Sequence, residues 1–169
     1  MCQTKASNNI KLIDFGLATK LDPNEVVKIS TGTAEFAAPE IVNREPVGFY
    51  TDMWAVGVLA YVLLSGLSPF AGDNDVETLK NVRACDWEFD DEAFANISNE
   101  GKDFISKLLT RSKDKRMTAH ECLEHPWLKG DLSHDTRVRI PNRRYVKFRD
   151  DLRDKYADSW KNCLLPFGH

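Results

Sequence analysis

The chain has 169 residues, 42% hydrophobic and 29% charged, with a formal net charge of −3. This is the make-up of an ordinary globular protein with enough apolar material for one core, and its charge argues against a bulk nucleic-acid binder. The four cysteines, Cys2, Cys85, Cys122 and Cys163, show no C-x-x-C spacing, so free thiols in a reducing setting fit better than disulfides or zinc. The first residues lack a basic-apolar-small export pattern. The longest apolar run, residues 55–64, is too short to span a bilayer. A soluble, cytoplasmic chain with no membrane partner is expected.

Residues 1–3 read as the end of a strand, and Ser7-Asn8-Asn9 as a turn into a short, half-buried strand over residues 10–13. That strand leads to Asp14-Phe15-Gly16. A carboxylate at a strand mouth, beside a residue free to turn, suits a hard cation bound to phosphates. The same triplet also makes a plain strand-to-turn junction. A polar loop then runs through Ser30-Thr31-Gly32-Thr33 to Ala38-Pro39-Glu40, where Pro39 favours the first turn of a short helix.

Thr51-Asp52 is expected to cap the run MWAVGVLAYVLLSG, residues 53–66. The run is apolar on every face, which predicts a helix buried all round and acting as the spine of the fold. Gly66 is a natural left-handed stop. Asn74 or Asp75 caps a further helix to about Cys85, and DWEFDDEAF, residues 86–94, is an acidic loop. That loop reads as a solvated charge run or as a surface that steers basic peptides.

Ser98 starts a helix carrying Phe104, Ile105, Leu108 and Leu109 at helical spacing. Thr118 and Glu121 form a capping box for a short helix that ends at His125-Pro126. His120 and His125 are five apart, near opposite faces of a helix, so they do not make a zinc site. Residues 130–140 are a polar linker. A last helix beginning near Pro141 carries Tyr145, Phe148, Leu152, Tyr156 and Trp160 on one side and basic residues on the other. Such a helix is one that calmodulin-like sensors grip, or one that packs on the lobe with a solvated basic face.

Two triplets bracketing a loop at this separation resemble the activation segment of a eukaryotic protein kinase. With ATKLDPNEVVKISTGTAEFAAPEIV and GFYTDMWAVGV, residues 10–129 resemble the C-terminal lobe of a serine/threonine kinase of the calmodulin-kinase-like group. The wording is most similar to giant muscle kinases of the twitchin and titin type. The resemblance implies a mainly α lobe of an α+β parent fold. Residues 1–129 would be the lobe, 130–140 a linker and 141–169 an incomplete helical regulatory tail.

ATP and Mg²⁺ are the implied cofactors. Asp14 would hold the metal, with Phe15 and Gly16 beside it at the nucleotide. Gly32 and Thr33 would form the shelf that receives the substrate, Thr33 orienting the catalytic aspartate. Glu40 and Arg116 would pair to pin the loop to the lobe, and Asp52 would accept hydrogen bonds from the catalytic loop.

No G-x-G-x-x-G, V-A-I-K or H-R-D-x-x-x-x-N sequence occurs in the 169 residues. The catalytic base is therefore expected upstream of Met1, and this chain alone is expected not to phosphorylate anything. Ile29 stands where many kinases carry a phosphorylatable residue, so control is expected from the tail, with a calmodulin-like calcium sensor at residues 141–162. The implied partner is a protein substrate, in the contractile apparatus by resemblance, and the implied place is the sarcomere. The alternative from another class is a non-catalytic, kinase-derived binding or scaffolding module.

Overall fold

The computed structural model describes residues 11–13, 15–22, 24, 26–29, 32–130, 147, 148, 150–152 and 154. Within them the chain is helical. A 3-10 turn, Ala34–Phe36, precedes α1 Pro39–Val42, α2 Phe49–Ser65, α3 Asp75–Ala84, α4 Asn99–Leu108, α5 Ala119–Glu124 and α6 Pro126–Lys129, and residues 147, 148, 150–152 and 154 are helical as well. A second 3-10 turn, Lys113–Lys115, lies between α4 and α5.

Local chemistry sets most boundaries. Asn74 Oδ1 accepts the Glu77 amide at 3.1 Å and starts α3. Ser98 Oγ accepts the Gly101 amide at 3.0 Å and starts α4. At α5 the capping box closes both ways: the Glu121 amide donates to Thr118 Oγ1, and the Thr118 amide to Glu121 Oε2 at 2.7 Å. These bonds satisfy donors that a helix start leaves without partners. Gly66 ends α2 at φ 73°, its amide donating to the Val62 carbonyl at 2.8 Å.

The core gathers around α2. α4 lies along it, and Gly57 makes the close approach possible, since a Cβ there would come within 2.7 Å of Leu108 Cβ. Trp54 stacks on Phe70 with centroids 5.2 Å apart. Tyr61 meets Phe94 at 4.8 Å, and Phe89 closes on Phe94 at 4.7 Å. Trp54, Val58, Ile105 and Leu108 are fully buried. Phe148 is half-buried against this core, whereas Tyr145, Tyr156 and Trp160 lie outside the described residues.

Three expectations need correction. Lys11, Leu12 and Ile13 form no strand and are exposed, Leu12 by 84%. Alternation makes a strand only where a neighbouring strand supplies the ladder, and none does among the described residues. Second, α2 begins at Phe49 with Gly48 as its N-cap, so Asp52 sits within the first turn and does not cap it. The backbone amide of Gly48 donates to Thr51 Oγ1 at 3.1 Å instead. Third, α2 is not buried all round. Asp52, Val56, Leu59 and Leu63, spaced four, three and four apart, form an exposed stripe, Leu63 by 48%. A helix apolar on every face can be covered everywhere, but the described residues cover only part of this one.

Candidate functional site

Asp14 lies outside the described residues. Phe15 is 70% exposed, its carbonyl accepting the Ala18 amide at 3.0 Å across the turn that holds Gly16. Among the described residues no group of three or more His, Cys, Asp or Glu side chains could hold a metal ion.

From Val27 onward the loop is tied to the lobe. The Val27 carbonyl accepts the Val47 amide at 3.0 Å. Ile29 is half-buried, a setting that suits its apolar side chain. Gly32 adopts φ 144°, a left-handed conformation that disfavours other residues, in an exposed bend just before Thr33. The Thr33 carbonyl accepts the Phe36 amide at 3.0 Å and the Ala37 amide at 3.1 Å. Its backbone is thus fixed by the following turn, while its hydroxyl makes no hydrogen bond among the described residues.

Glu40 and Arg116 do meet, 76 residues apart in the chain. Arg116 Nη1 donates to Glu40 Oε1 at 2.8 Å and Nη2 to Oε2 at 3.1 Å, a two-pronged contact between groups 3% and 2% exposed. Nη1 also donates to the Tyr50 carbonyl at 2.7 Å, and Nε and Nη2 to the Thr110 carbonyl at 3.3 Å. The guanidinium lies 5.0 Å from the centre of the Trp54 ring. Thr51 Oγ1 donates to Glu40 Oε1 at 2.9 Å.

Burial alone would raise the Glu40 pKa. The hydrogen bonds and charge of Arg116, with help from the Glu40 backbone and Thr51, outweigh it and hold the carboxyl below its ordinary value. This site can position α1 against the first turn of α2; it cannot do chemistry, because each of its polar groups is already committed.

Sequence reasoning named the two charged members and missed three others. Thr51 looked like a plain cap, yet its hydroxyl links the Gly48 amide to Glu40. The Tyr50 and Thr110 acceptors are backbone carbonyls, which no side-chain pattern reveals. Asp52 points to the bare side of α2, is exposed, and makes no hydrogen bond among the described residues.

Residues 1–128 match the protein kinase domain family. The chain is 59% identical to the solved twitchin kinase region of C. elegans, with a TM-score of 0.84, covering 91% of this chain and 27% of that one. It is 48% identical to the titin homolog of Caenorhabditis elegans, over 99% of this chain and 1% of the relative. It is 56% identical to myosin light chain kinase 3 of Danio rerio, over 99% of this chain and 24% of the relative. The chain thus spans about a quarter or less of each of these proteins.

Proposed function

The chain belongs to the protein kinase family, and from that premise we propose that it is the C-terminal lobe of a serine/threonine kinase whose parent transfers the ATP γ-phosphoryl group to proteins. The observation that carries this is the buried Glu40–Arg116 clamp. It fixes the end of the loop holding Gly32 and Thr33 onto the helical body, as a substrate-receiving shelf requires. Phosphoryl transfer is largely positioning and charge neutralisation, so a lobe that orders such a shelf does a real share of the work.

In this reading residues 1–129 are the lobe, 130–140 the linker and 141–169 the tail. Asp14 is the proposed magnesium ligand, with Phe15 and Gly16 at the nucleotide. Kinases as a family use ATP and Mg²⁺, which together supply the transferable group and the neutralising charge. Thr33 orients a catalytic aspartate carried upstream, and Asp52 accepts hydrogen bonds from the same upstream loop, a role supported by its exposed carboxylate, which makes no hydrogen bond among the described residues. Similarity to twitchin kinase and to myosin light chain kinase supports a contractile protein as substrate and muscle as the setting. Residues 141–162 are the proposed seat of a calmodulin-like sensor.

The test is a kinase assay on two proteins: the 169-residue chain, and a chimera joining it to the upstream lobe and catalytic loop of the twitchin kinase region. Turnover is expected only from the chimera, and Thr33→Ala should reduce it by at least tenfold. Transfer by the 169-residue chain alone would overturn the reading. A folded but inert chimera would favour a scaffolding module.

A further inference from the structure

We propose that His125 is an acid-sensitive latch: neutral, it ties α6 to α4, and protonated, it lets α6 go. The residue sits at the junction of α5 and α6 and commits every polar atom it has. Its amide donates to the Cys122 carbonyl at 3.1 Å, closing α5. Its carbonyl accepts the Leu128 amide at 3.0 Å and the Lys129 amide at 3.1 Å. On the ring, Nδ1 accepts the Trp127 amide at 3.2 Å and so caps α6, while Nε2 lies 3.1 Å from Asp103 Oδ2 on α4. A backbone N–H can only donate, so Nδ1 keeps its lone pair and the ring proton belongs on Nε2, where it donates to Asp103. One neutral tautomer satisfies both contacts.

A second proton has only Nδ1 to go to. There, N–H would face N–H and the cap on α6 would be lost. The imidazolium would also be left in a position 4% exposed, with the Phe104 ring 5.2 Å away and Trp127 packed on Phe104 at 4.9 Å. A buried charge with an unmet donor is costly, and release of α6 gives both N–H groups access to water.

The neighbouring charges do not reverse this. Asp103 favours an imidazolium, but its side chain is 51% exposed and the same Oδ2 accepts Lys107 Nζ at 2.6 Å. That lysine, ahead of burial and of His125, holds the Asp103 carboxyl below its ordinary value, so the carboxylate is charged and largely offset throughout the range in which histidine titrates. On α5, Glu121 is bonded to Thr118 and His120 is exposed. Glu124 of α5 pairs with Lys129 of α6. α6 ends at Lys129, where the linker begins, so the latch sets the direction in which the chain leaves the lobe. Nothing here depends on ATP or on an upstream loop, and failure of the kinase reading would leave the latch intact.

The experiment is amide exchange and ring ¹⁵N spectroscopy by NMR on the whole 169-residue chain. At about pH 7.5 the His125 ring should carry its proton on Nε2. Between about pH 7.5 and about pH 5.5, protection of the Trp127 amide relative to free peptide should fall at least about fivefold. The Glu77 and Gly101 amides, held by Asn74 and Ser98 caps that do not titrate there, should change less than about twofold. His125→Asn supplies a capping oxygen at every pH and should abolish the response, whereas His120→Gln should leave it whole. Asp103→Asn removes the one charge that favours the imidazolium and should enlarge the fall. A proton on Nδ1 at about pH 7.5, equal falls at Trp127 and Gly101, or a response that survives in His125→Asn would overturn the proposal.

Discussion

The two long faces of α2 carry similar residues and have different fates. One presents Trp54, Val58, Tyr61 and Leu64, all buried, and begins beside the clamp of Glu40, Thr51 and Arg116. The other presents Val56, Leu59 and Leu63, which remain 38–48% exposed. Apolar character is common to both, so it does not separate them. What separates them is whether another element lies alongside: on the buried face Gly57 lets α4 approach and Arg116 reaches the Tyr50 carbonyl.

The sharpest break in that contrast is Arg116→Ala. It strands the Glu40 carboxylate in the interior along with two carbonyl acceptors, and removing one partner of a buried pair costs ~3–5 kcal/mol. Urea unfolding followed by circular dichroism should show a loss of that order; a loss under ~1 kcal/mol would mean the pair is not held as described. The pH dependence follows from the same contact. Glu40 is depressed when folded, so its contribution is present above the ordinary carboxyl value of 4.5 and is lost as pH falls through the lower, folded value. Glu40→Gln should flatten the acid limb of the stability curve in that window.

Next in size is Gly57→Ala. The new methyl would sit 2.7 Å from Leu108 Cβ and 2.9 Å from Leu109 Cδ2. Forcing α2 and α4 apart is an overpacking change of ~1–3 kcal/mol. A melting temperature equal to that of the unaltered chain would show that the two helices yield freely. Thr51→Val is smaller, ~1 kcal/mol, because it removes one hydroxyl that donates to Glu40 and accepts from the Gly48 amide. Thr51→Ser keeps that hydroxyl and should recover most of the loss.

Much of this was legible beforehand. The caps at Asn74, Ser98 and Thr118 and the stop at Gly66 are local, and local chemistry reads well from a single chain. The mainly helical body was legible too, from the spacing of Phe104, Ile105 and Leu108. Glu40 and Arg116 were paired through family resemblance, since nothing in their spacing joins them. Lost to the sequence were contacts made to backbone, such as Tyr50 and Thr110 carbonyls, and the relay through Thr51. Burial of α2 was overstated because periodicity reports which faces could be covered, not what covers them. The segment at residues 11–13 failed for the same reason, its alternation having no partner strand.

The smallest expected effect is the most telling about α2. Leu59→Ser with Leu63→Ser should leave the stability of this chain within ~0.5 kcal/mol, because both side chains already face solvent. Val58→Ala, one position away and fully buried, should cost ~1–3 kcal/mol. In the chimera carrying the upstream lobe and catalytic loop, the double serine variant should instead lose at least ~2 kcal/mol, as the stripe becomes an interior surface. If the double variant is neutral in both proteins, the bare face of α2 is a true solvent face and the upstream lobe docks elsewhere. If it is costly already in the 169-residue chain, the stripe is covered there, and the contrast between the two faces is gone.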